Sequence, residues 1–260
     1  MNIQQFYQQA ANVSLNASLA SFIPPIIILT LGVLVLPNGN IILFILPFLL
    51  YSFFCYQSYL LNKERSLGIH PYHLVKELEF TSLLDQQNLL FSFMPAPSLR
   101  MVFFHTTGQY GGELKDVEYS GYRWFLPYFA DKRLPRNYGL YNDQQQLLAT
   151  FKRKGRKMIV MDSEEERIIT LLWSNHKVCL IEPSHTKIEI DSAALYIDSK
   201  YYNEQGSMIA RVRKGLMPLE WGKVFKDSNT PVLSFDKDTT LQEKMIIFSS
   251  LIFQYSYSNH

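Results

Sequence analysis

The chain has 260 residues, and 25 Lys and Arg against 23 Asp and Glu leave a formal net charge of +2. So small a charge supplies little counterion-release affinity, so no nucleic-acid partner is expected, and 2 cysteines cannot build a disulfide framework. The charge is also unevenly spread, because the first charged side chain is Lys63.

Residues Met1 to Ser18 are polar but uncharged, with Ile3, Phe6, Tyr7, Ala10 and Val13 recurring at helical spacing, as in an interfacial lead-in. A secretory signal would carry a basic n-region, and none is present. Leu19–Leu36 and Ile41–Leu61 follow. Each holds about a dozen Leu, Ile, Val or Phe, and each of these favours insertion by ~0.3–0.6 kcal/mol. Between them Pro37-Asn38-Gly39-Asn40 is a turn signal placed where two antiparallel spans must reverse, which predicts a transmembrane hairpin. Pro24 and Pro25 fit a first helical turn, whereas Pro47 should kink the second span.

Lys63, Glu64 and Arg65, then His70, His73 and Lys76, follow the second span, while the turn between spans is uncharged. Lys and Arg mark the cytoplasmic side, so the large domain is expected in the cytoplasm and the short turn outside. The sequons at Asn12 and Asn16 then lie on the wrong side for glycosylation. His70, His73 and Glu77 have a spacing that could hold a metal on a helix, but Pro71 breaks that helix and no metal is expected. Cys55 in a span and Cys179 in a predicted strand are not expected to pair. The expected plan is a hairpin over 1–62, a juxtamembrane linker over 63–78 and one domain over 79–260.

From Glu79 the pattern turns to short strands and polar turns. Leu89–Met94, Arg100–Thr106 and Leu114–Tyr119 come first, the last two around Gly108, Gly111 and Gly112. Asn137–Tyr141 and Leu147–Phe151 flank Asn142-Asp143-Gln144; Lys157–Met161 and Arg167–Trp173 flank Asp162-Ser163-Glu164. Tyr196–Asp198 and Met208–Arg213 flank Asn203–Gly206. Asx-led turns between apolar strands predict an antiparallel meander, whose exposed edges are removed by closing into a barrel. Asp143, Asp162 and Asp198 are read as turn residues rather than catalytic acids. Leu241–Tyr255 then reads as a helix, with Thr240 and Glu243 at capping-box spacing. It is apolar on nearly every side and too short to cross a bilayer, so it is expected inside the barrel. The fold class is mainly β.

Two stretches carry a family resemblance. Tyr138-Gly139-Leu140-Tyr141-Asn142-Asp143, running on to Leu147-Leu148 and the basic stretch Lys152–Lys157, resembles the strand, Asp-led turn and Lys-rich strand of the tubby C-terminal-like superfamily. That group includes tubby domains, LURP-one-related proteins and phospholipid scramblases. Thr230-Pro231-Val232-Leu233-Ser234-Phe235-Asp236, followed by Glu243-Lys244 and the apolar helix, is similar to its terminal signature. The resemblance spans about Glu79 to the C-terminus. It implies a twelve-stranded barrel wound around a buried helix, and the N-terminal hairpin resembles membrane-anchored bacterial members.

The candidate chemistry is lipid contact. Lys152, Arg153, Lys154, Arg156 and Lys157 form a basic run that could hold anionic headgroups at ~1 kcal/mol per charge. Arg123, Lys132 and Arg133, with Arg136, surround Trp124, Phe125, Tyr128 and Phe129, a mixture of cations and aromatics suited to a membrane interface. No nucleophile elbow, phosphate-cradling glycine loop or activated Cys/His pair is present, so neither enzyme activity nor a cofactor is expected. The expected function is a membrane-anchored binding or regulatory barrel that contacts anionic phospholipid or a protein partner. A scramblase-like lipid handler is the alternative, weakened by how few polar side chains the spans contain.

Overall fold

The structure is a computed structural model, and it describes residues 1–35, 41–69, 82–96, 98–117, 136–164, 166–174, 177–182, 187–192, 198–215 and 217–255. Two compact units divide the chain, Met1–His70 and Pro71–His260. His70, His73 and Glu77 lie outside the described residues.

The first unit is helical. Helix α1 (Ile3–Ala20) starts at Asn2, whose side chain accepts the Gln5 N–H at 2.9 Å while the Gln5 side chain accepts the Asn2 N–H at 3.0 Å. These reciprocal bonds satisfy two of the free donors of the first turn. Helix α2 (Ile23–Val35) follows after Ser21 and Phe22, and α3 (Ile41–Leu67) contains Pro47 and carries Lys63, Glu64 and Arg65 in its last turns. The apolar stretch that begins at Leu19 is therefore divided between the end of α1 and α2. Two stretches, Ile3–Thr30 and Ile41–Leu67, are long and apolar enough to cross a membrane by length and composition.

Helix α1 buries Ile3, Phe6, Tyr7, Ala10, Ala11, Ser14 and Ser18 on one side. The last four are small, which lets the two backbones approach closely. Ser18 and Ser52 each give their hydroxyl to the other's carbonyl at 3.1 Å, and Gln4 gives its amide to the Ser66 carbonyl at 3.1 Å. These bonds fix α1 antiparallel to the second half of α3.

The second unit is a closed antiparallel barrel of twelve described strands. They are β1 (Asn88–Phe93), β2 (Arg100–Phe104), β3 (Tyr110–Asp116), β4 (Arg136–Asn142), β5 (Leu147–Lys154), β6 (Lys157–Met161), β7 (Arg167–Ser174), β8 (Lys177–Glu182), β9 (Lys187–Ser192), β10 (Asp198–Tyr202), β11 (Met208–Arg213) and β12 (Val232–Phe235). Each strand pairs with its sequence neighbour, and β12 closes on β1 through Leu90↔Val232. Closure removes the free edges that invite aggregation.

Three connections repeat one turn. Asn142, Asp162 and Asn203 each accept, on the side-chain oxygen, the N–H groups two and four residues ahead. This is the Asx geometry that made these turns visible in the sequence. Gln145 (φ 62°) and Gly206 (φ 75°) take the left-handed position in two of them. Gly111 and Gly112, expected in a turn, are instead within β3. A Cβ on Gly112 would stand 2.3 Å from the Tyr141 carbonyl oxygen, so close strand approach is what demands glycine there.

Helix α4 (Leu241–Tyr255) occupies the lumen, as expected. Its Thr240–Glu243 capping box forms, with the Thr240 N–H donating to Glu243 at 2.8 Å. Ile246, Ile247, Phe248, Leu251 and Ile252 pack among the inward residues Phe91, Met101, Phe103, Leu140, Phe151 and Val160. Phe248 meets Phe103 edge to face at 5.3 Å. The two serines of the helix are matched inside: Ser249 bonds the Met245 carbonyl, and Ser250 meets the fully buried Tyr201 hydroxyl at 2.9 Å. A second apolar layer lies outside the sheet, where Leu90, Phe104 and Val232 are buried and Phe225 covers Phe104 at 6.2 Å.

Candidate functional site

The up-and-down strand order puts the ends of β1, β5 and β7 at one rim of the barrel, with the end of β3 and the start of β4. The last turn of α4 reaches the same rim. There Tyr255 packs on Phe93 at 5.0 Å and Phe253 stacks on Trp173 at 4.6 Å.

The basic run lies at this rim, and strand alternation splits it. Inward positions of β5 are Ala149, Phe151 and Arg153. Arg153 accordingly lies over the Phe253 ring, its guanidinium carbon 4.5 Å from the centroid, and serves as a cation–π cap on the core. Lys152 points outward and is half-buried, while Lys154, Arg156 and Lys157 are exposed. Gly155 (φ 62°) occupies the left-handed position that a two-residue hairpin requires, and it brings Lys154 directly opposite Lys157. Arg136, which begins β4, pairs in register with Arg153 and is buried. Arg123, Lys132 and Arg133 fall outside the described residues.

Like charges placed directly opposite each other in a sheet destabilise it. The rim holds two such pairs, Lys154 with Lys157 and Arg136 with Arg153. The inner pair stands near Asp116 and the Tyr138 hydroxyl; burial raises the Tyr138 pKa, and Arg136 works against that shift. The outer pair has no acidic partner among the described residues.

A second charged cluster sits on the outer face of β2, β3 and β4. The Glu113 carboxylate is 2% exposed; it accepts Arg100 at 2.8 Å and Lys115 at 2.6 Å. Burial opposes its charge, but Lys115 and Arg100 together outweigh burial and hold its carboxyl below the usual range. Lys115 also bonds Gln145 at 2.9 Å, and Gln145 bonds the Tyr110 hydroxyl at 2.6 Å. Every member of this network is satisfied by its neighbours, which makes it structural.

Asp162 is a turn residue, as expected, and Asp143 lies in the β4–β5 turn. Asp198 is not. It begins β10 and receives both arms of Arg211 at 2.8 and 2.6 Å, a bidentate cross-strand pair. Asn203 leads the turn that follows instead, since its side chain reaches the two N–H groups. Among the described residues no group of His, Cys, Asp and Glu could hold a metal.

One exposed feature was missed. Between β11 and β12, Leu219 is 94% exposed, with Lys214, Lys223 and Lys226 exposed nearby and Trp221 partly so. The signal was in the sequence, since Met217-Pro218-Leu219-Glu220-Trp221 interleaves bulky apolar residues with flanking lysines. It is the same mixture that drew attention to Arg123 and its neighbours.

Neither a protein-family model nor a curated protein matches the chain. A protein of Arabidopsis thaliana solved by X-ray crystallography is similar at 10% identity and a TM-score of 0.44, over 66% of this chain and 92% of that one. The fold assignment rests on the closed strand order and the enclosed helix.

Proposed function

We propose that this is a non-enzymatic, membrane-anchored binding protein of the tubby C-terminal-like type, and that its barrel lies in the cytoplasm and touches anionic lipid headgroups through the β5–β6 hairpin. The observation that carries this reading is the exposed pair Lys154 and Lys157 with Arg156 between them. Folding gains nothing from cations set opposite one another, whereas a negative surface turns the repulsion into attraction. Three exposed cations at ~1 kcal/mol each give an affinity weaker than about 1 mM. An anchored domain needs no more, because a tether supplies an effective concentration in the millimolar range. Leu219 amid Lys214, Lys223 and Lys226 offers an apolar contact of the kind used at membrane interfaces.

The test uses the barrel alone, residues 71–260, and vesicles at millimolar lipid. Acidic vesicles should bind it at low salt and neutral ones should not, and the triple variant K154E/R156E/K157E should lose about 10-fold or more in partitioning with its melting temperature intact. Equal partitioning by the triple variant removes headgroup contact through this hairpin. A protein partner would then take its place.

A further inference from the structure

The bonds that seat α1 on α3 also set its depth. With Ser18 paired to Ser52 and Gln4 to Ser66, Asn16 lies level with Phe54 and Asn12 level with Ser58. That part of α3 presents Phe53, Phe54, Tyr56, Leu60 and Leu61 outward, all at least 40% exposed, with Gln57 and Ser58 as the exposed polar residues among them, and Lys63 comes only afterwards. Whatever surrounds those apolar side chains therefore surrounds Asn12 and Asn16 as well.

The two asparagines are exposed, as are Gln5 and Gln9. On a helical wheel these four form a stripe opposite the buried seam of Ile3, Tyr7, Ala10, Ser14 and Ser18. One side of α1 is thus sealed on α3, and the other shows primary amides at the depth where α3 shows hydrocarbon-loving groups. An amide facing lipid without a partner is costly, and polar side chains in spans accordingly turn toward protein or water. Nothing charged is present on α1 to select a charged helix or an ion path. A primary amide does have both donors and an acceptor, so the same side chain on a symmetry-related copy satisfies it in both directions.

We infer that α1 forms the interface between two copies of this chain, with Asn12 and Asn16 hydrogen-bonding to their counterparts across a two-fold axis. The inference rests on the membrane reading of α1 and α3 and is independent of headgroup contact by the barrel. It uses chemistry known to join spanning helices, in which Asn side chains bridge between neighbours.

The test uses the full chain in native membranes, in a background without Cys55 and Cys179. Asn16→Cys should form an oxidant-induced disulfide dimer of two copies, whereas Ser14→Cys, buried against α3, should not. The double variant N12L/N16L should lower the association constant by about 10-fold, read by energy transfer between labelled copies at fixed protein-to-lipid ratio. Leucine improves insertion, so a loss of association would not reflect failure to enter the membrane. Association of N12L/N16L equal to the parent overturns the inference. Cross-linking of Asn16→Cys to a different protein, or its ready reaction with a membrane-impermeant thiol reagent as in a water-lined path, does so too.

Discussion

Glu113 shows how a single side chain makes the barrel sensitive to pH. Its carboxyl is nearly inaccessible, yet Lys115 and Arg100 hold it ionised and its pKa lies below the ordinary carboxylate value. A depressed folded-state pKa contributes stability that is present above the unfolded value of about 4.3 and is lost as pH falls through the folded one. Thermal unfolding of residues 71–260 should therefore show a drop in melting temperature below about pH 4 that Glu113→Gln reduces. At neutral pH the same substitution should cost about 1.5–3 kcal/mol, the range for hydrogen bonds to charged groups. The opposite sign is expected at the rim. Lys154→Thr removes a like-charge pair and should stabilise the barrel by about 0.2–1 kcal/mol while weakening its partitioning to acidic vesicles. A variant that loses stability instead would show that Lys154 serves the fold, and the repulsion would no longer point to a ligand.

At the scale of elements, α4 and its enclosure determine whether a barrel exists at all. Phe248 is fully buried between Phe103 and Phe235, and Phe248→Ala should cost about 3–5 kcal/mol through lost transfer energy and the cavity left behind. Ile247→Lys would bury an unpaired charge at a position with 0% exposure and should prevent folding, visible as loss of cooperative melting and near-ultraviolet signal. A soluble, cooperatively folded Ile247→Lys protein would mean that the helix does not occupy the lumen. This helix was legible in the sequence because apolar residues occur all around it and the Thr240–Glu243 box marks its start. The turns led by Asn142, Asp162 and Asn203 were legible through side-chain chemistry. Strand β8 was expected around Cys179, but β9 was not legible, since Lys187–Ser192 is short and polar-ended and no Asp or Asn stands in the sequence just before it to mark a turn. Ile3, Phe6, Tyr7 and Ala10 marked the first half of the α1 seam by their spacing, but its continuation through Ala11, Ser14 and Ser18 escaped apolar periodicity because these residues contribute small size rather than hydrophobicity. The basic run was visible as charge, but its division into an inward Arg153 and outward lysines depends on which strand face meets the core.

For the molecule as a whole, on the membrane-anchored reading proposed above, the distribution of charge relative to the apolar helices would determine which side of a membrane the barrel occupies. Two stretches are long and apolar enough to cross, and two crossings return the chain to the side from which it started. Basic residues within the last turns of α3, Lys63 and Arg65, favour retention of that end in the cytoplasm, and the connection between the spans has no charge to compete with them. The barrel follows α3 and should therefore be cytoplasmic, beside the leaflet whose anionic lipids the rim hairpin would meet. Single cysteines at Asn38 and at Ser207, which is exposed in the β10–β11 connection, separate the two orientations in a background without Cys55 and Cys179. An impermeant thiol reagent added to intact cells should modify Asn38→Cys and leave Ser207→Cys unmodified until the membrane is broken. Modification of Ser207→Cys in intact cells would place the barrel outside, where anionic cytoplasmic lipid could not be its ligand.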